Sequence, residues 1–223
     1  MADEPALPAR IVLRPIANPL PLGVLGLALA TTMYAALQLA WLDPEHGQVA
    51  AVAALFFTVP VQLIASVFGF LARDAVAGTG MALLAGTWAT VAVITLTSPP
   101  GATNAGLGTV FVIAGVAMLV PAAPAWAGRA VPAAVLTTTA IRFAVTGGYE
   151  LTGSGAWEAA AGVVGLALAA LAVYAALALA FEDMKYRTVL PVGRRHAGAA
   201  AMSGSEHAQT ETLTYEAGVR RQV

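Results

Sequence analysis

Apolar and polar positions along the chain alternate in long blocks, not with the short period of an amphipathic surface helix. Six stretches, at 21–41, 49–71, 76–96, 107–126, 131–149 and 157–181, are almost wholly apolar and carry no charged stripe on any face. A bilayer core of ~30 Å takes about 20 apolar residues of helix, so each stretch is long enough to cross it. A water-facing helix would keep one polar face, and these do not. The breaks between them are short and rich in turn-forming residues: Asp43-Pro44-Glu45-His46-Gly47, Ala72-Arg73-Asp74, Ser98-Pro99-Pro100-Gly101, Gly128-Arg129 and the Gly/Ser-rich segment 150–155. The pattern predicts an all-α polytopic membrane protein with six transmembrane helices.

Charge orients it. Arg10, Arg14, Arg73, Arg129, Lys185, Arg187, Arg194, Arg195, Arg220 and Arg221 all fall in the termini or the even-numbered breaks, ten of the eleven basic residues. The alternate breaks hold Asp43, Glu45, Glu150 and Glu158 and no Lys or Arg. Because cytoplasmic loops retain Lys and Arg, both termini are expected in the cytosol, in a protein of the cytoplasmic membrane. The chain divides into a cytosolic segment at 1–17, a transmembrane domain at 18–193 and a polar tail at 194–223. That tail is too poor in apolar residues to fold alone and is expected to be disordered.

Composition narrows the chemistry. With 59% hydrophobic and 10% charged residues the 223-residue chain lies outside the soluble globular class. It has no cysteine, which removes thiolate ligands and nucleophiles. Its three histidines, His46, His196 and His207, lie outside the apolar stretches, so no buried metal site is expected. No paired acid and base, nucleophile elbow or phosphate-cradling glycine loop occurs within the membrane, so neither an enzyme nor an ATP-driven pump is expected. Cofactors and nucleic-acid partners are not expected either.

Two features point to an anion. Asn18-Pro19-Leu20-Pro21-Leu22-Gly23 opens the first helix, with a capping residue and prolines where a helix tolerates them. This is either a well-started helix or a rim at which free N–H groups meet an anion. Arg142 lies about twelve residues into the fifth stretch, near mid-bilayer, where an arginine costs at least ~2.5 kcal/mol and needs a partner. Thr138, Thr139 and Thr146 share its helix face at spacings of three and four. Arg142 is either a fixed positive charge in a water-filled path or a structural residue bonded to backbone carbonyls or a carboxylate. Gln62, two residues after Pro60, is a further polar group at membrane depth.

Three stretches make the sequence similar to a known family. The Asn18–Gly23 hexapeptide resembles the motif opening the first helix of the acetate uptake transporter family, the YaaH or SatP-type acetate–succinate transporters and their fungal relatives. Phe56, Gln62-Leu63-Ile64-Ala65 and onward to Trp88 resemble its second and third helices. Arg187-Thr188-Val189-Leu190-Pro191-Val192-Gly193 resembles the segment after its sixth. The resemblance implies a hexamer with one pore per subunit, passing acetate or similar small carboxylates as a secondary transporter or channel. It also implies an apolar constriction, carried here onto Leu27, Leu84 and Thr137, where relatives commonly have Phe, Tyr and Leu. Asn18, Gln62, Thr138 and Arg142 are the expected polar pore contacts, and Arg142 aligns with a small apolar residue of relatives. The alternative is a non-transporting scaffold or sensor of the same fold.

Overall fold

The computed structural model of the protein describes residues 16–185 and 188–195. Six helices are each long and apolar enough to cross a membrane: α1 Leu20–Gln38, α2 Pro44–Leu71, α3 Ala75–Thr97, α4 Ala105–Gly128, α5 Ala130–Thr152 and α6 Gly155–Lys185. Each packs on its neighbours in the chain, and α6 closes back onto α1, so the helices form a ring with a common interior. One end of the ring carries Arg73, Arg129 and Lys185 and the other carries Asp43, Glu45, Glu150 and Glu158; these are called the basic and acidic ends.

Helix ends follow local chemistry. At the end of α1, Trp41 N–H donates to Ala36 O and Ala40 N–H to Leu37 O, with Ala40 in the left-handed region at φ 52°. The same double bond ends α2, from Asp74 N–H to Gly69 O and Arg73 N–H to Phe70 O, with Arg73 at φ 58°. Both are Schellman closures, which satisfy carbonyls that a helix end leaves free. The first stops α1 at Gln38, three residues before the end of its apolar run, because the turn and not the hydropathy terminates the helix. Asp74 then caps α3, its Oδ1 accepting Ala77 N–H at 2.9 Å, and Asn104 Oδ1 caps α4 on Leu107 N–H at 3.1 Å.

Inside α2, a π-helical turn at Ala54–Thr58 directly precedes Pro60. Proline has no N–H and its ring crowds the carbonyl four residues back, so the helix widens there. The Thr58 hydroxyl uses the distortion to donate to Gly26 O of α1 at 3.0 Å. Elsewhere small residues bring backbones together: a Cβ on Gly147 would lie 3.0 Å from Gly108 O, and glycine at both positions lets α4 and α5 touch.

α6 is longer than its apolar core requires. Its 31 residues span roughly 46 Å, so its last turns project past a ~30 Å hydrocarbon layer. There Glu182, 6% exposed, accepts from Arg194 Nε at 2.5 Å and from the Thr188 hydroxyl at 3.3 Å. The segment 188–195 crosses the basic end: Gly193 O and Val192 O accept the first N–H groups of α5, from Ala130 and Val131, and Arg195 N–H reaches Gly128 O. Tyr174 OH donates to Pro191 O at 2.8 Å, and Val192 is fully buried. Arg194 and Arg195, expected in the polar tail, are thus bonded into this segment. Residues 196–223, with His196 and His207, lie outside the described residues, as do 1–15 and Arg187.

Candidate functional site

Two cavities lie inside the ring at different depths. The larger, of about 130 Å³, faces the basic end and is lined from five helices, among them Leu20, Val24, Met81, Pro124, Leu136 and Leu179. Its mouth carries Asp74 and Arg129, which are ion-paired. The smaller, of about 10 Å³, has room for about one water and a mostly apolar wall. Tyr34 and Gln38 of α1, Trp88 of α3, and Arg142, Phe143 and Thr146 of α5 line it.

Helices α1, α3 and α5 each contribute to both cavities, so along these three what separates the cavities can be read from the residue numbers. On α1 the gap runs from Val24 to Tyr34, on α3 from Met81 to Trp88, on α5 from Leu136 to Arg142. At ~1.5 Å per residue this is a closed layer roughly 9 to 15 Å thick. Its interior contains Leu27 and Leu84, each with no exposed surface, together with the fully buried Thr31 and Thr139. Leu27 and Leu84 are thus fully buried between the levels of the two cavities. Thr137 is turned away from them. It is half-buried, its hydroxyl donates to Ala133 O at 2.9 Å, and it accepts from Trp126 Nε1 at 3.1 Å on exposed α4 surface. The buried neighbour on α5 is Leu136, whose side chain packs over Gly80 of α3.

Gln62 belongs to this layer. Thr58 touches Gly26, Ala65 and Met81 both lie against Gly23, and the Ser66 hydroxyl donates to Gly78 O at 2.8 Å. These contacts put one face of α2 against both α1 and α3, and Gln62 is on that face near the level of Leu27 and Leu84. It has no exposed surface, and neither its Oε1 nor its Nε2 has a hydrogen-bond partner. A buried unsatisfied polar group costs about 1–3 kcal/mol, so such a group in a folded protein calls for an explanation.

Arg142 is 3% exposed. Its Nη1 donates to Ala161 O of α6 at 2.6 Å and its Nη2 to Gln38 Oε1 at 3.2 Å. Gly165 makes the approach possible, since any Cβ there would collide with the guanidinium. Among the described residues no carboxylate lies within ion-pair distance of it. The carbonyl bond is one a structural arginine would make; the missing counter-charge is not. Because Gln38 ends α1 and Ala161 lies near the start of α6, the guanidinium serves the acidic half of the ring. Of the neighbouring threonines, Thr146 lines the small cavity with an unpartnered Oγ1, and Thr139 donates to Val135 O at 2.8 Å. Thr138 is half-buried at the margin of that face.

At the basic end, Asn18 is half-buried and its Oδ1 accepts Leu20 N–H at 3.1 Å, so the side chain starts α1 beside the larger cavity. Residue chemistry alone did not single out Trp88, whose Nε1 is buried without a partner, or Tyr34, whose hydroxyl pairs with Thr95 Oγ1 at 3.1 Å. Both look like ordinary membrane aromatics until the fold sets them against Arg142. The nearest sequence signal was their polar tips at intramembrane positions.

No curated protein matches the chain by sequence. Among solved structures, one described as the structure of the bacterial acetate channel SatP superposes with a TM-score of 0.71 at 26% identity, covering 80% of this chain and 99% of that one. The family model for the GPR1/FUN34/yaaH family matches residues 4–193, nearly the whole transmembrane region together with the segment that crosses the basic end. On that match the chain is a multi-pass membrane protein belonging to the GPR1/FUN34/yaaH family.

Proposed function

We propose that the protein passes acetate and similar small monocarboxylates across the cytoplasmic membrane, through a path inside each subunit, as a channel or secondary transporter and not as an enzyme. The observation that carries this reading is the pair of cavities inside one ring of helices, separated by the layer around Leu27 and Leu84. Membership of the family and the likeness to an acetate channel supply the substrate class.

In this reading an anion enters from the basic end past Asn18 and the start of α1, where the positive end of the helix dipole favours negative charge. It crosses the Leu27 and Leu84 layer, with Leu136 in the place first assigned to Thr137 and with the Gln62 amide as polar contact. It then reaches Arg142, with Thr138 at the edge of that station. Few strong contacts along the way suit passage, because a solute held too tightly would not leave. The basic end is cytosolic, with both termini inside, a placement that the Lys and Arg distribution supports. Subunits assemble as a closed hexamer in the bilayer, each with its own path.

The test is uptake into proteoliposomes with a panel of carboxylates, each with and without a pH gradient. Small monocarboxylates should compete with one another and dicarboxylates should compete less well. Equal transport of all anions regardless of the carboxyl group would contradict a carboxylate path.

A further inference from the structure

The small cavity offers a charged donor and two buried donors without partners, yet it is too small for a carboxylate group. What fills the remaining space is the side-chain amide of Gln38. We propose that Gln38 is a built-in stand-in for the substrate carboxylate: its Oε1 holds the Arg142 guanidinium, and an arriving anion displaces it and binds there. The inference rests on the carboxylate reading above and adds a specific station and a specific competitor to it.

Four observations support it. Arg142 is buried and has no carboxylate partner among the described residues, so its charge is compensated only by a backbone carbonyl and a neutral amide. Those two bonds are unequal. The 2.6 Å bond to Ala161 O fixes one nitrogen to the backbone of α6, whereas the 3.2 Å bond to Gln38 lies at the long end of the ~2.7–3.2 Å range of N–H···O bonds. The guanidinium is thus held at one nitrogen and loosely engaged at the other.

Gln38 is also placed to move. It is the last residue of α1 and half-buried, and the chain leaves the helix just beyond it through the left-handed Ala40. An amide and a carboxylate are planar groups of similar size, so exchanging one for the other solves the space problem that the cavity of about 10 Å³ poses. Finally, Trp88 Nε1 and Thr146 Oγ1, 2% and 6% exposed as residues, have no partner and belong to the cavity lining. A carboxylate has about four lone-pair sites to offer, whereas the amide oxygen has two. An ionised carboxylate thus has lone pairs enough for Arg142, Trp88 and Thr146, whereas Gln38 bonds only Arg142 among them. The species selected is the anion, not the neutral acid.

The experiment uses the full chain, purified and reconstituted, with radiolabelled acetate uptake and thermal stability measured for wild type, Gln38→Glu, Gln38→Ala and Arg142→Gln. Gln38→Glu supplies a permanent internal carboxylate. It should assemble with a melting temperature at or above wild type and lose acetate uptake by about tenfold to a hundredfold, the range a hydrogen bond to a charged group is worth. Gln38→Ala removes the competitor and should lower the acetate KM. Arg142→Gln should abolish saturation in correctly assembled protein. Uptake by Gln38→Glu within about twofold of wild type would overturn the proposal. Failure of that variant to assemble would do the same, because a carboxylate facing Arg142 should be welcome. So would an unchanged or raised KM in Gln38→Ala. If wild type itself takes up no carboxylate, the functional reading fails; if wild type and Gln38→Glu both transport, only the stand-in fails.

Discussion

Asp74 divides its carboxylate between two helices, Oδ1 accepting the Ala77 N–H that opens α3 and Oδ2 pairing with Arg129 at the start of α5. Both halves of the bond lie at the mouth of the larger cavity, so this residue ties together the end of the ring through which an anion is proposed to enter. The two roles separate by mutation. Asp74→Asn keeps an acceptor for the cap and loses the charge pair, and should cost up to about 1 kcal/mol, as partly exposed pairs do. Asp74→Ala loses the cap as well and should cost about 0.5–2 kcal/mol more. Thermal unfolding in mild detergent measures both, and equal losses would show that the cap contributes nothing.

Orientation can be tested without removing any native cysteine, since the chain has none. Glu45→Cys and Gly155→Cys sit at exposed positions of the acidic end and Ala75→Cys at an exposed position of the basic end. The first two should react with an impermeant thiol reagent added outside intact cells, and the third only after permeabilisation. The reverse pattern would invert the protein in the membrane.

Gln62 should trade stability for activity. Its amide is fully buried with neither atom bonded, so Gln62→Leu, close in volume and apolar, removes an unsatisfied group and should raise stability by about 1–3 kcal/mol. The same change should lower acetate uptake, because the layer would lose its polar contact. A destabilised Leu variant with normal uptake would make Gln62 a plain packing residue.

Most of the fold was legible in the sequence because membrane helices announce themselves by length and by the lack of a polar face. All six began and ended within about five residues of the observed bounds. The end of α1 is instructive. Leu39-Ala40-Trp41-Leu42 continues the apolar run, and a left-handed alanine gives no compositional warning, unlike the glycine usual there. The long α6 went the other way, its last turn extending through Glu182 because segment 188–195 folds back to meet it.

The candidate site was legible one residue at a time but not as a constellation. Arg142 stands out in any reading, since a lone cation at that depth requires an account. Its partners do not: Gln38 is 104 residues away, Ala161 contributes only a carbonyl, and Trp88 matters only for which way its indole N–H is buried. Thr137 is the converse case. Family register placed it in the constriction, but one helical position turns a side chain by ~100°, and here that rotation brings Leu136 inward and sends Thr137 to Trp126.

The central claim is that this chain passes small carboxylates, and the initial rate of radiolabelled acetate uptake into proteoliposomes of the purified protein tests it most directly. Measured at neutral pH against protein-free liposomes, the account predicts a saturable rate well above background that unlabelled propionate suppresses and that Arg142→Gln, counted per assembled oligomer, does not retain. An uptake rate no different from protein-free liposomes, for acetate and for every other small carboxylate tried, would contradict it.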